Sequence, residues 1–171
     1  MKNRIVLASK ILLSSLLIVS CSTNDSSSCE QALTGALSTE ESGLVGNWIL
    51  TNMVSEDPVD ITTDGVDNSS TDIFGQLDDC DKDVEYIFEN DRNFTLKQQF
   101  TAENCPNKSS LNGTWKYAND ILSLVSACNL QTITILVDGG FTTFSFEGLY
   151  TFLEVDGTVT SSNVTLTYTK S

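Results

Sequence analysis

The chain has 171 residues, 23 acidic side chains against nine Lys and Arg, a net charge of −14, and no histidine. A field of that sign repels nucleic acid and anionic lipid head groups. Without histidine, the Ser-His-acid and Cys-His arrangements and the usual His-ligated catalytic zinc are excluded, so the expectation is a non-enzymatic protein with no catalytic residue, metal or cofactor.

Residues 1–20 read as a secretory signal. Lys2, Arg4 and Lys10 make a basic start, and Ile11 to Val19 is an apolar stretch far short of the roughly 20 residues of a membrane-spanning helix. The run Ile18-Val19-Ser20-Cys21 resembles the bacterial lipobox, which implies cleavage before Cys21 and acylation of that cysteine. Acyl chains bury methylenes at about 0.8 kcal/mol each and would hold the protein at a membrane without a spanning helix. Ser22 stands where an aspartate would favour inner-membrane retention, so the expected place is the outer membrane of a Gram-negative cell envelope.

The 151 residues from Cys21 suffice for one domain with a core. Removing the signal's three cations leaves six basic residues against all 23 acids, a balance of −17. Residues 21–41, rich in Ser and Thr, predict a flexible tether, with a short helical turn possible around Glu30 to Leu37. The domain proper is expected over 42–171.

Short β-rich runs with turn signals between them follow. "LVGNWILTNMV" is the first. "DVEYIFEN" and "NFTLKQQF" flank one turn, and "GTWKYA" and "ILSLVSA" flank Asn119-Asp120. "LQTITILV" and "FTTFSFEGLYTFLEV" are divided by "DGG", with the second run expected to break at Gly148, and "SNVTLTYTK" closes the chain. Alternation puts Val84, Tyr86 and Phe88 on one face, then Phe94, Leu96 and Phe100, then Trp115 and Tyr117, then Val164, Leu166 and Tyr168. One apolar face per strand across consecutive hairpins predicts an all-β fold, an antiparallel up-and-down barrel of about eight strands. No pair of acids falls on the inward face; Glu147 comes nearest and lacks a partner.

With Cys21 acylated, Cys29, Cys80, Cys105 and Cys128 remain, an even number that suggests two disulfides with three possible connectivities. Cys80 with Cys105 is favoured because they bracket one hairpin; Cys29 with Cys128 follows by elimination. The acidic segment from Glu56 to Asp91 offers Asp78, Asp79, Asp81 and Asp83 as calcium ligands, but it lacks the spacing of an EF-hand loop. It reads instead as a solvated loop, a possible lid.

Gly46-Asn47-Trp48 on the first strand, ahead of an eight-strand meander, resembles the lipocalins. Cys80, Tyr86 and Phe88, a turn, Cys105, then Gly113, Trp115, Tyr117, Leu122 and Leu124 are similar to the lipocalin-like domains of bacterial lipoproteins. In that family an arginine on the last strand packs over the first tryptophan; Lys170 is near that place. The resemblance implies a barrel with Trp48 packed at its closed end and a small apolar or amphipathic ligand inside. Tyr86, Phe88, Phe94, Phe100, Trp115 and Tyr117 would then be the wall of the cavity. The alternative is an interaction or structural envelope lipoprotein whose barrel is filled by its own aromatics, with a protein partner that the sequence does not name.

Overall fold

The computed structural model describes residues 29–171, so the signal stretch and Cys21 lie outside the described residues. Its elements in chain order are helix α1 (Thr39–Leu44), strand β1 (Gly46–Val59), strand β2 (Ser70–Asp72), the one-turn helices α2 (Ile73–Gln76) and α3 (Asp79–Lys82), and strands β3 (Val84–Phe88), β4 (Asn93–Gln98), β5 (Ser109–Ala118), β6 (Ile121–Ser126), β7 (Asn129–Thr134), β8 (Leu136–Val137), β9 (Thr143–Leu153) and β10 (Val159–Lys170). Along the sheet the order is β7-β6-β5-β4-β3-β1-β10-β9-β8, with β2 paired to β1. The first strand thus lies between the third and the last, all neighbours antiparallel, and the sheet curls into a nearly closed barrel.

Local chemistry explains the hairpins. Asn119 and Asp120 both take positive φ between β5 and β6, the geometry of a two-residue turn that these side chains tolerate. Ala127 and Cys128 do the same between β6 and β7, and neither favours it. That turn is pinned from outside by the Cys29–Cys128 disulfide and by the Glu30 N–H donating to the Cys128 carbonyl.

Inward alternation fills the interior. Trp48 meets Phe144 at 5.0 Å between centroids, Phe88 meets Trp115 at 5.1 Å, and Phe144 stacks on Tyr168 at 4.9 Å. This aromatic half lies toward the end where β1 begins and β10 finishes, and α1 covers that end with the fully buried Leu44. At the opposite end α2 packs on β1, sealing Ile73 inside beside the buried Val59.

Five expectations need correction. The run Leu130 to Val137 breaks at Ile135, which is fully buried and donates its N–H to Asp120, whereas β9 passes through Gly148 unbroken because Gly148 stays in register with Val164. The helical turn is at Thr39–Leu44, where Ser38 and Glu41 form a capping box, and not at Glu30 to Leu37. From Cys29 onward the stretch read as a tether is held to the barrel: Leu33 N–H donates to Thr114 Oγ1, and Arg92 binds the carbonyls of Gly35 and Ala36. Phe100 is not inward. Strand β4 ends at Gln98, Gln99 takes positive φ, and Phe100 emerges 42% exposed with the Lys108 ammonium 5.9 Å from its ring.

Candidate functional site

The barrel fails to close along one line, between β7 and β9. Among the described residues β7 pairs only with β6, and β8 pairs with β9 only at Phe144 and Ser145. From Phe146 to Leu153 one edge of β9 therefore has no ladder partner. A cleft of about 560 Å³ occupies this seam. One wall is Gln131, Thr132, Ile133, Thr134 and Leu136; the other is Ser145, Phe146, Glu147 and Gly148, with Thr165 beyond.

Register decides which of these side chains face in. Gln131 and Ile133 pair with the inward Leu124 and Leu122, so both turn toward the interior. Phe146 and Gly148 pair with the inward Leu166 and Val164. Glu147 belongs to the outer, exposed face, which corrects the expectation that it came nearest to pointing inward. The cleft thus has Ile133, Phe146 and Gly148 with the Gln131 amide on its inward side, hydroxyls at its rim, and one carboxylate.

The predicted wall residues take a different place. Tyr86, Phe88, Phe94, Trp115 and Tyr117 are all inward and buried in one core cluster, where Tyr86 packs on Phe88 and Tyr168, and Phe88 on Trp115; none lines the seam cleft. The two indoles are satisfied internally: Trp48 Nε1 donates to the Leu44 carbonyl at 2.7 Å and Trp115 Nε1 to that of Glu89 at 3.1 Å. Lys170 extends over Trp48, its Nζ 5.3 Å from the ring and 2.8 Å from the Gly43 carbonyl that it donates to. Burial, reinforced by the hydroxyl's bond to Asp120, pushes the Tyr117 phenol up to about 12.

Both disulfides join the pairs reached from the sequence, Cys29 with Cys128 and Cys80 with Cys105. Several acids of the acidic segment have structural roles: Asp72 caps α2 and Asp78 caps α3, while Asp83 accepts the N–H groups of Thr101 and Ala102. Among the described residues no group of three or more His, Cys, Asp or Glu is placed to hold a metal ion, nor is any helix long and apolar enough to cross a membrane.

The family model described as "Domain of unknown function (DUF5004)" matches residues 22–171. The chain belongs to this family. No curated protein matches it. The DUF5004 match begins seven residues before Cys29, so the segment that runs from the Cys29 disulfide past Thr114 to Arg92 lies within the family's domain.

Sequence reasoning missed Arg92 and Glu41. Arg92 sits at positive φ in the β3–β4 turn, is 4% exposed, and donates to both oxygens of Glu41, which also accepts the Ser38 and Tyr117 N–H groups. It missed the seam as well, since the end of β7 depends on Ile135 turning toward Asp120.

Proposed function

We propose that this DUF5004 chain is a lipid-anchored, non-enzymatic protein of the Gram-negative outer membrane that binds a small apolar or amphipathic molecule in the cleft between β7 and β9. The observation that carries the reading is the cleft: about 560 Å³, within the size range of small-molecule sites, with Ile133, Leu136 and Phe146 as its apolar surface and Thr and Ser hydroxyls at its rim. The pattern ending in Cys21 supports the anchor, and the resemblance to lipocalin-like lipoproteins supports a binding role. Glu147, alone among the lining residues in being charged and placed on the outer face, offers no partner for acid–base chemistry.

Native mass spectrometry of the protein extracted gently from membranes tests the reading directly. A copurifying small molecule that disappears in Phe146→Ala supports it; a bare protein that also fails to take up an apolar fluorescent dye rejects it. Cys21→Ser should move the protein out of the membrane fraction, and full retention would reject the anchor.

A second reading, a protein-interaction module with a filled barrel, is favoured by the free edge of β7. Its sequence, Asn129-Leu130-Gln131-Thr132-Ile133-Thr134, contains neither charge nor proline, the devices that usually guard an open edge. A partner strand added there would give a stable protein complex in place of a small-molecule adduct.

A further inference from the structure

Three tyrosines stand behind the seam. The rings of Tyr86 and Tyr168 meet edge-on at 5.3 Å, and Tyr168 stacks at 5.9 Å on Phe146, which lines the cleft. The third ring, of Tyr150, lies over Gly148, another lining residue; a Cβ built on that glycine would meet its Cε2 at 3.0 Å.

Tyr86 is 7% exposed and Tyr168 3%, yet none of the three hydroxyls has a hydrogen-bond partner among the described residues. The rest of this core behaves differently. Both indole N–H groups and the Tyr117 hydroxyl find protein acceptors, as buried polar groups generally do. None of the three tyrosines lines the cleft itself; they stand directly behind Phe146 and Gly148, which do, and their hydroxyls are claimed by no other described residue.

We propose that Tyr86, Tyr150 and Tyr168 form the polar end of the ligand site and receive an uncharged hydrogen-bonding head group, an alcohol, amide or carbonyl, whose apolar chain lies along Phe146 and Ile133. The proposal rests on the reading that the seam cleft binds a small amphipathic molecule, and names its class. A carboxylate head would enter a cleft with no Lys or Arg among its lining residues, in a protein of net charge −14. An ammonium head would find only Glu147, on the outer face and away from the rings. Burial, together with the neighbouring Tyr150, pushes the Tyr86 phenol up to about 12, and burial also holds the Tyr168 phenol well above its ordinary value, so both remain protonated near neutrality and can donate as well as accept.

The test uses the full chain carrying Cys21→Ser and three probes of equal length: 1-decanol, decanoate and decyltrimethylammonium. Binding is followed by calorimetry and by the tyrosine difference spectrum. Decanol is expected to bind at least tenfold more tightly than either ion. Tyr168→Phe and Tyr150→Phe should each weaken decanol about five- to tenfold, the loss of one hydrogen bond, without lowering the melting temperature by more than a few degrees. Tyr150→Phe keeps the test usable where the more deeply buried Tyr168 disturbs folding. Equal decanol binding by wild type and both variants overturns the tyrosine assignment while leaving the cleft reading intact. A preference for either ion overturns the head-group class. Failure of all three probes, together with failure of an apolar dye, removes the cleft reading and this proposal with it.

Discussion

Arg92 and Glu41, 51 positions apart in the chain, meet as a two-pronged ion pair, with Nη1 2.7 Å from Oε1 and Nη2 3.0 Å from Oε2. Both are almost fully buried, and together they join the β3–β4 turn, helix α1 and the backbone of β5. Breaking such a pair leaves an uncompensated charge inside the protein. Arg92→Ala is expected to cost about 3–5 kcal/mol in denaturant unfolding.

The same pair predicts an acid-sensitive fold. Burial alone would raise the Glu41 carboxyl, but the Arg92 guanidinium and the Ser38 and Tyr117 N–H groups outweigh it and bring it to about 2. A folded value below the ordinary 4.5 means that the contribution is complete above that pH and is lost as pH falls toward 2. Stability measured against pH should fall less steeply over this window in Glu41→Gln than in wild type.

Gly46 and Lys170 form a second coupled pair. Gly46 has φ of +136°, and a Cβ there would lie 2.7 Å from Lys170 Cε. Gly46→Ala should destabilise by more than about 1 kcal/mol, since alanine disfavours that backbone region. Adding Lys170→Ala removes the collision, so what remains of the loss in a double-mutant cycle is the backbone strain. Lys170→Met alone should cost about 0.5–2 kcal/mol through the lost contact with the Trp48 face.

Trp115 is a core residue with no exposed surface. Trp115→Ala should lower stability by about 3–5 kcal/mol, the range for emptying a large aromatic site. Iodide should barely quench either tryptophan in the folded protein. Strong quenching of Trp115 would show that the interior is open where the structure has it packed.

The two disulfides should differ in weight. They close separations of 99 and 25 residues, for which chain-entropy reasoning gives about 4.7 and about 3.5 kcal/mol. The Cys29→Ser/Cys128→Ser variant should therefore unfold at lower denaturant than Cys80→Ser/Cys105→Ser.

Much of the barrel was legible because its strands alternate cleanly. Tyr86 and Phe88, Trp115 and Tyr117, and Leu166 and Tyr168 all face inward, as period-two reading requires. That reading failed at Phe100 because alternation holds only while a strand lasts, and one positive-φ residue, Gln99, ends it. The helix was legible but misplaced: Ser38-x-x-Glu41 is a capping-box signal that locates it at Thr39. The N-caps Asp72 and Asp78 likewise announce the two short helices inside the acidic segment.

The candidate site was much less legible. Inward aromatic residues look alike in sequence whether they fill a core or line a cavity, and only packing separates Phe88 from Phe146. The Arg92–Glu41 pair carries no local signal, because its partners come from distant segments. The seam arises where Ile135 leaves the ladder, and nothing in "LQTITILV" marks that residue as the break.

The Cys29–Cys128 bond also sets how the protein bears a mechanical load. A pull applied upstream of Cys29 passes through the disulfide to Cys128 and bypasses residues 30–127, which include α1 and strands β1 to β6. Stretched between its N-terminal side and Ser171, the oxidised protein can pay out only residues 129–171 on the far side of the bond, about 150 Å of extended chain. The covalent ring therefore shields about two thirds of the described residues from extension, and the first strands to carry the force are β7, at the seam, and β10, held between β1 and β9.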